Sequence, residues 1–396
     1  MACRRSDRRP GQGPSRARAR PRGRPQAEAS RARRHDRPSP TGAEVPLEGR
    51  EVARLVTLIT LAGFVIAACG GGTPATAPSA APSAAVATAT PLAPIKVKVA
   101  YTNITGDSLP TWVALDAGIF KKNGLDVELL SVDGGSRGMA TLLSGEIDIA
   151  TLGGAECLSA TASGAKVTVT AVGTPVFPYF LMAAPEIKTV ADLRGKKVGI
   201  SSVGGSADIA TRKVLKDSGL DPDKDVTLVS LGSHAQRTAA LFAGALQAAV
   251  DDPPNTTELM DKGFHNIYDL AGKRLATAQT GTVAQASFIG ANREAMQRFV
   301  DSQIEAVAWM KKNKTQAVAI MKKYYKAAND AKGFEEAVDF YLGEVFQALP
   351  YPKPELWADA QATLGASNAK VKAIDVKTIV DDSFVKSAAD RGVDKR

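Results

Sequence analysis

Residues 127–150 read VELLSVDGGSRGMATLLSGEIDIA, and residues 226–249 read VTLVSLGSHAQRTAALFAGALQAA. The two stretches align without a gap, with identities at Val127/Val226, Leu129/Leu228, Ser131/Ser230, Ala140/Ala239, Leu142/Leu241, Gly145/Gly244 and Ala150/Ala249. Both follow a Gly-Leu-Asp, at Gly124 and at Gly219. Each copy opens on a β-rich run, passes through small and polar residues into a helical pattern, and ends on a second apolar run. That is strand, helix, strand written twice. The duplication predicts an α/β fold of two similar lobes with mostly parallel sheets. A parallel sheet presents its ligand-binding loops at the carboxyl ends of its strands, so two facing lobes make a cleft.

Outward from the repeat, the spacing predicts further strands over 95–100, 167–172 and 197–201, with the repeat strands themselves over 127–132, 147–152, 226–231 and 246–250. Helices are predicted over 110–122, ended by Gly124, and over 206–217, ended by Gly219, since a glycine past the last turn is a common stop. Beyond residue 290 the chain reads as helical. Phe334, Ala337, Val338, Tyr341, Leu342, Val345 and Phe346 fall on one helix face, and Met296, Phe299, Val300, Val307 and Ala308 on another, behind Asn292 as the expected cap. Such stripes are core-facing, and these helices are expected to cover lobe one.

The N-terminal side has a different character. The chain has 396 residues and a formal net charge of +9. Residues 1–50 hold 14 Arg and 5 acidic residues, which accounts for the whole excess, and residues 51–396 carry 36 charges of each sign. The first fifty residues lack the apolar side chains to build a core. They read as a disordered Arg/Pro-rich leader upstream of a wrongly assigned start rather than as a nucleic-acid arm, because an export signal follows. Arg50 and Arg54 precede a 14-residue apolar run that ends Ile66-Ala67-Ala68-Cys69. Residues 51–69 read as a signal peptide, too short for a comfortable membrane span. The Ala-Ala-Cys end resembles the lipobox of bacterial lipoproteins, which implies lipidation of Cys69. Residues 70–94 are almost wholly Gly, Thr, Pro, Ser and Ala, a flexible tether. Beyond it stands one cysteine, Cys157, read as a small core residue that cannot make an internal disulfide.

Four further segments carry a resemblance: Trp112-Val113-Ala114 with residues 118–127 (GIFKKNGLDV), residues 144–150 (SGEIDIA), residues 192–199 (DLRGKKVG), and residues 244–253. Spread in order over about residues 95–350, they are similar to the substrate-binding proteins of ABC importers of the nitrate, sulfonate and taurine type. The resemblance implies two lobes, 95–177 with 278–396 and 178–277, joined by crossing strands near residues 171–182 and 278–289. It implies a clamp that closes on a small molecule and hands it to a permease and its ATPase. A monomer held at the outer face of the cytoplasmic membrane, or in the periplasm, is expected.

Ser202, Gly205 and Ser206 join a strand to a helix start, where free N–H groups favour an anionic head. Ordinary turn and capping chemistry would use the same residues, and the resemblance favours ligand contact. By the same reasoning Asn103, Thr105 and Ser108, Gly135 and Ser136, Gly153 and Gly154, His234 and Asp252 are candidate ligand contacts. Asp252 also reads as a solvated turn acid, and an acid in the cleft argues for zwitterions or amines over nitrate.

Enzyme readings fare worse. Residues 134–138 (GGSRG) match a G-x-S-x-G elbow, which makes a serine hydrolase using Ser136 the alternative, but only the second strand precedes it and the repeat places Ala235 opposite. A relative of this fold, the pyrimidine-precursor synthase, uses a cysteine-rich motif that has no counterpart here. With three His, no H-x-x-x-H pair and no glycine-rich nucleotide loop, no metal, cofactor or nucleic-acid partner is expected.

Overall fold

The computed structural model describes residues 94–396. The leader, the signal segment with Cys69, and all of the tether but Pro94 lie outside the described residues. The first lobe runs β1 (Ile95–Tyr101), α1 (Leu109–Asp116), α2 (Ile119–Lys122), β2 (Leu125–Ser131), α3 (Gly135–Ser144), β3 (Ile149–Leu152), α4 (Gly154–Ala162) and β4 (Val167–Val176). The second runs β5 (Phe180–Ala183), β6 (Lys197–Ile200), α5 (Ser206–Asp217), β7 (Thr227–Ser230), α6 (His234–Phe242), β8 (Ala248–Asp251), α7 (Asn255–Asp261) and β9 (His265–Asp269). The chain then returns through β10 (Ala276–Gln285), α8 (Ala286–Ala291), α9 (Arg293–Lys312), α10 (Lys314–Tyr325), α11 (Phe334–Phe340), α12 (Ala358–Gly365), α13 (Ala369–Lys372) and α14 (Ser383–Asp390).

The strands form two five-stranded sheets of matching order, β2-β1-β3-β10-β4 and β7-β6-β8-β5-β9. In each, the strand ahead of the repeat pairs in parallel with both repeat strands, β1 with β2 and β3, β6 with β7 and β8. The fourth place in each sheet goes to an antiparallel strand adjoining a crossing, β10 in the first and β5 in the second. The first crossing, residues 177–179 between β4 and β5, lies inside the expected 171–182. The second lies at residues 270–275, ahead of the expected 278–289, because β10 stays in the first sheet from Thr280 through Gln285, paired with β4. The turn there is marked by Gly272, whose N–H bonds Asp269 Oδ1 at 2.7 Å.

The helix expected over 110–122 is broken in two. Gly118 sits at φ +73°, a left-handed conformation that glycine reaches without steric cost, and α2 restarts from it. Under the first sheet, Val99, Trp112, Ile149, Met296, Phe299, Val300 and Ile304 share one buried cluster. Phe120 stacks on Phe299 at 5.3 Å and Trp112 on Tyr324 at 4.6 Å. Each such side chain contributes about 1.5–3 kcal/mol on burial. The expected cap Asn292 does not bond the start of α9; its amide donates to Phe288 O at 3.3 Å. After α11 the chain winds into a π-helical turn, Tyr341–Val345, a rare form often found at functional sites. Further on, α12 touches α4 of the first lobe and α5 of the second, where Asp359 pairs with Lys213 at 3.5 Å.

Candidate functional site

The carboxyl ends of both parallel strand sets open into one cavity of about 350 Å³. Loops after β1, β2 and β3 wall it on one side, loops after β6, β7 and β8 on the other, and Pro178 and Tyr179 of the first crossing with Gln279 of β10 close it between them. Of the twelve expected positions, Asn103, Thr105, Gly135, Ser136, Gly153, Ser202, Gly205, Ser206, His234 and Asp252 line this cavity. Ser108 and Gly154 do not. The Ser108 hydroxyl turns inward to donate to Asn103 O at 2.9 Å, closing the loop after β1. Gly154 is packed beneath Trp357, whose indole N–H donates to its carbonyl at 3.0 Å, and a Cβ there would lie 2.6 Å from Trp357 Nε1.

On the first wall, Glu156 lies in the opening turn of α4 and its carboxyl spans the start of α3. A Cβ on Gly135 would fall 2.4 Å from its Oε1, and one on Gly153 2.4 Å from its Oε2. Only glycine leaves room for this carboxyl at both places. Burial raises its pKa above the usual carboxylate value, and Oε2 has no hydrogen-bond partner among the described residues. Asp107 is satisfied instead, accepting from the hydroxyls of Thr105 and Thr280.

The opposite wall is built on charge. His234, the first residue of α6, places Nδ1 2.6 Å from Asp251 Oδ1 and 3.4 Å from Asp252 Oδ1. Asp251 also accepts from the Asp252 N–H at 2.9 Å, Asn255 at 3.1 Å and Thr238 at 3.3 Å. Burial and nearby Arg237 oppose charging the His234 ring, but Asp251, by charge and hydrogen bond, and Asp252 outweigh them and raise its pKa. Burial opposes ionisation of Asp251, yet His234, Arg237 and the Asp252 N–H win and lower it. Asp252 is fully buried, not the solvated turn acid that its sequence context also allowed. Burial, helped by Asp251, pushes its pKa to about 7. Its Oδ2 accepts from Tyr341 at 2.5 Å, across from the first lobe, while Oδ1 has no hydrogen-bond partner among the described residues.

Arg237 is 1% exposed, bonding Gly232 O through Nη1 at 2.9 Å, with Nε and Nη2 left without partners among the described residues. Between the walls, Gln279 donates to the Tyr179 hydroxyl at 2.7 Å and also accepts from Ser206, which joins β10, the first crossing and the start of α5. His234, Asp251 and Asp252 are a cluster with potential metal-ligand atoms within 4.8 Å of one another. Asp251 is already committed to four donors and Arg237 stands alongside, so the group is held as an ion-paired network. Ser136 is exposed and, among the described residues, has no side-chain hydrogen bond to a base. Cys157 is buried in the core, its thiol near Gly153 O at 3.5 Å, and burial pushes its pKa up.

Glu156, Arg237, Asp107, Tyr179, Gln279 and Tyr341 escaped sequence reading. Arg237 alone left a usable trace, a charged residue on an otherwise small and apolar helix stretch at a position where the other repeat copy has Gly138.

The family model described as NMT1/THI5 like matches residues 105–317. YtlA of Bacillus subtilis (strain 168), provisionally named a binding protein, is 28% identical over 220 residues, covering 54% of this chain and 66% of YtlA. Among solved structures, the periplasmic aliphatic sulphonate binding protein SsuA of Escherichia coli superposes with a TM-score of 0.61 at 22% identity, over 74% of this chain and all of SsuA. The periplasmic nitrate-binding protein NrtA of Synechocystis PCC 6803 gives 0.59 at 18% identity, over 75% of this chain and 89% of NrtA. The fold is that of the periplasmic binding proteins. Among the described residues no helix is long and apolar enough to cross a membrane.

Proposed function

The chain belongs to the NMT1/THI5-like family, and from that premise we propose that it is the solute-capturing component of an ABC importer, without catalysis of its own. It takes a small sulfonate-, nitrate- or taurine-like solute outside the cytoplasmic membrane and delivers it to a permease and ATPase. The observation that supports this best is the cavity itself, bounded by strand-end loops from both sheets, by the first crossing and by Gln279 of β10. A solute held there touches both lobes, so binding energy favours the closed arrangement of a hinged pair. The ten cavity-lining positions named above are the proposed ligand contacts, with residues 95–177 and 278–396 acting as one lobe and 178–277 as the other. The protein works as a monomer tethered through a lipidated Cys69.

The test is native mass spectrometry with thermal shift against sulfonates, nitrate, taurine and pyrimidines. Reversible, concentration-dependent stabilisation by one class is expected, about 3 kcal/mol at a hundredfold excess over Kd. Conversion of any probe to product rejects the reading.

A further inference from the structure

We propose that the cleft reads its solute with fixed polarity, an acidic head on Arg237 in the second lobe and N–H donors on Glu156 in the first. The inference rests on the solute-binding reading above and names the class, a small acid that also carries an amino or amide group.

The first wall has the starts of α3 and α4 side by side, a place that ordinarily attracts an anion through free N–H groups. Here the chain supplies a carboxyl of its own. The Glu156 carboxyl lies against the backbone of Gly135, the first residue of α3, and of Gly153, the residue capping α4, in the space any Cβ would fill. A second acidic group arriving there meets a carboxyl already in place, while Asp133 on the same wall is exposed and screened by solvent. A ligand N–H meets the opposite situation, since Glu156 Oε2 is buried and has no hydrogen-bond partner among the described residues. Arg137 shares that wall but is exposed, so its charge is screened by solvent.

In the second lobe the free chemistry is inverted. Arg237 is buried at the cavity wall, and its Nε and Nη2 have no hydrogen-bond partner among the described residues, the edge of a guanidinium that forks onto a carboxylate or sulfonate. Gly199 packs beside it, where a Cβ would clash with Leu246 Cδ1 at 2.5 Å and stand in ordinary contact with Arg237 Cδ at 3.5 Å. Asp252 Oδ1, the other acceptor on the cavity wall without a hydrogen bond among the described residues, stands 3.4 Å from His234 Nδ1, which offsets its charge. The unpartnered donor edge is thus on the second lobe and Glu156 Oε2 on the first. Only a two-ended solute engages both, and engaging both draws the lobes together.

Titration calorimetry on the purified protein with paired probes tests this: β-alanine against propionate, taurine against ethanesulfonate, with propylamine and nitrate as one-ended controls. Each amino acid probe is expected to bind at least tenfold more tightly than its deaminated partner. Glu156→Gln, which keeps the shape, should collapse that ratio by weakening the amino probe while leaving the deaminated one within about threefold. Arg237→Lys should weaken both members of each pair. Propionate or ethanesulfonate binding as tightly as its amino counterpart, an unchanged ratio in Glu156→Gln, or binding by none of the paired probes overturns the polarity while leaving solute capture standing. Turnover of a probe overturns solute capture itself.

Discussion

At matched places in the two repeat copies stand Gly138 on α3 and Arg237 on α6. In the first lobe a Cβ at Gly138 would fall 2.3 Å from Thr102 Cγ2, so the glycine lets the loop after β1 close against the helix. In the second lobe the same helix position carries a long cation buried at 1% exposure. The neighbouring matches differ likewise: Gly135 against His234, and Gly153 against Asp252 when the register is carried past the last repeat strand. One backbone plan was kept and its lining exchanged. The first wall is built from small residues around one carboxyl, the second from an ion-paired network, so the duplication makes the cleft while the divergence makes it two-ended.

The strongest way to break the comparison is to force the lobes to match. Gly138→Arg should destabilise the protein by about 4 kcal/mol or more, because overpacking costs about 1–3 kcal/mol and an unpaired buried charge adds to it. Gly138→Ala, which adds only the clashing methyl, should cost about 1–3 kcal/mol. Urea unfolding followed by circular dichroism reads both. Equal midpoints for Gly138→Arg and the parent would show that the lobes are interchangeable at this position.

The second test sets pH against the charged wall. Asp252 has a folded pKa raised to about 7, above its ordinary 3.8, so the folded state holds its proton more tightly than the unfolded one. Its ionisation cost is therefore relieved as pH falls from above 7 toward 4. His234 is also raised, and its stabilising charge is present below 6.5 and lost as pH rises through the folded value. Asp251, lowered, works the other way only below about its ordinary 3.8, outside this window. Stability should therefore rise by on the order of 1–3 kcal/mol between pH 8 and pH 5, the sign set by proton linkage. Tyr341, Tyr325, Tyr179, Asp107 and Arg237 are the other ionisable groups acting on Asp252 or sharing its surroundings, and Asp252→Asn should flatten the slope. A thermal-melt series showing the same slope in Asp252→Asn assigns the proton elsewhere.

What the sequence made legible follows from which forces are local. The repeat strands and the helix over 206–217 were readable because hydrophobic periodicity and glycine stops act within a few residues. Strands β5, β9 and β10 were not readable from periodicity, since FLMA, HNIYD and ATAQTGTVAQ carry little alternating apolar pattern and are held in place by partners far along the chain; only the family resemblance pointed to crossing strands near 171–182 and 278–289. The same division runs through the site. Ten cavity-lining positions followed from the rule that loops after parallel strands face the cleft, a property of topology. Glu156, Tyr341 and Gln279 reach the cavity or its walls by tertiary packing; Tyr341, for one, lies over Gly106, where a Cβ would come within 2.0 Å of its ring, before reaching Asp252. No local spacing encodes that approach.

The smallest effect is expected where the hydrolase alternative placed the most weight. Ser136 is matched by Ala235 in the second lobe, so Ser136→Ala makes the copies alike without touching a packed atom. Its hydroxyl is exposed at the cavity edge and has no side-chain partner among the described residues, so no buried donor or acceptor is stranded by its loss. Substitution should shift stability by less than about 0.5 kcal/mol, the range of surface changes away from special features. By contrast Ser206, which joins Gln279 and Tyr179 in one network, leaves buried partners unmatched when truncated and should cost about 1–3 kcal/mol. The pair is read by parallel urea melts and an ester-hydrolysis assay. A Ser136→Ala protein that melts like the parent, with no change in background hydrolysis, keeps this serine as a cleft hydroxyl, whereas loss of a measurable esterase rate would make it a nucleophile and the first lobe a catalytic one.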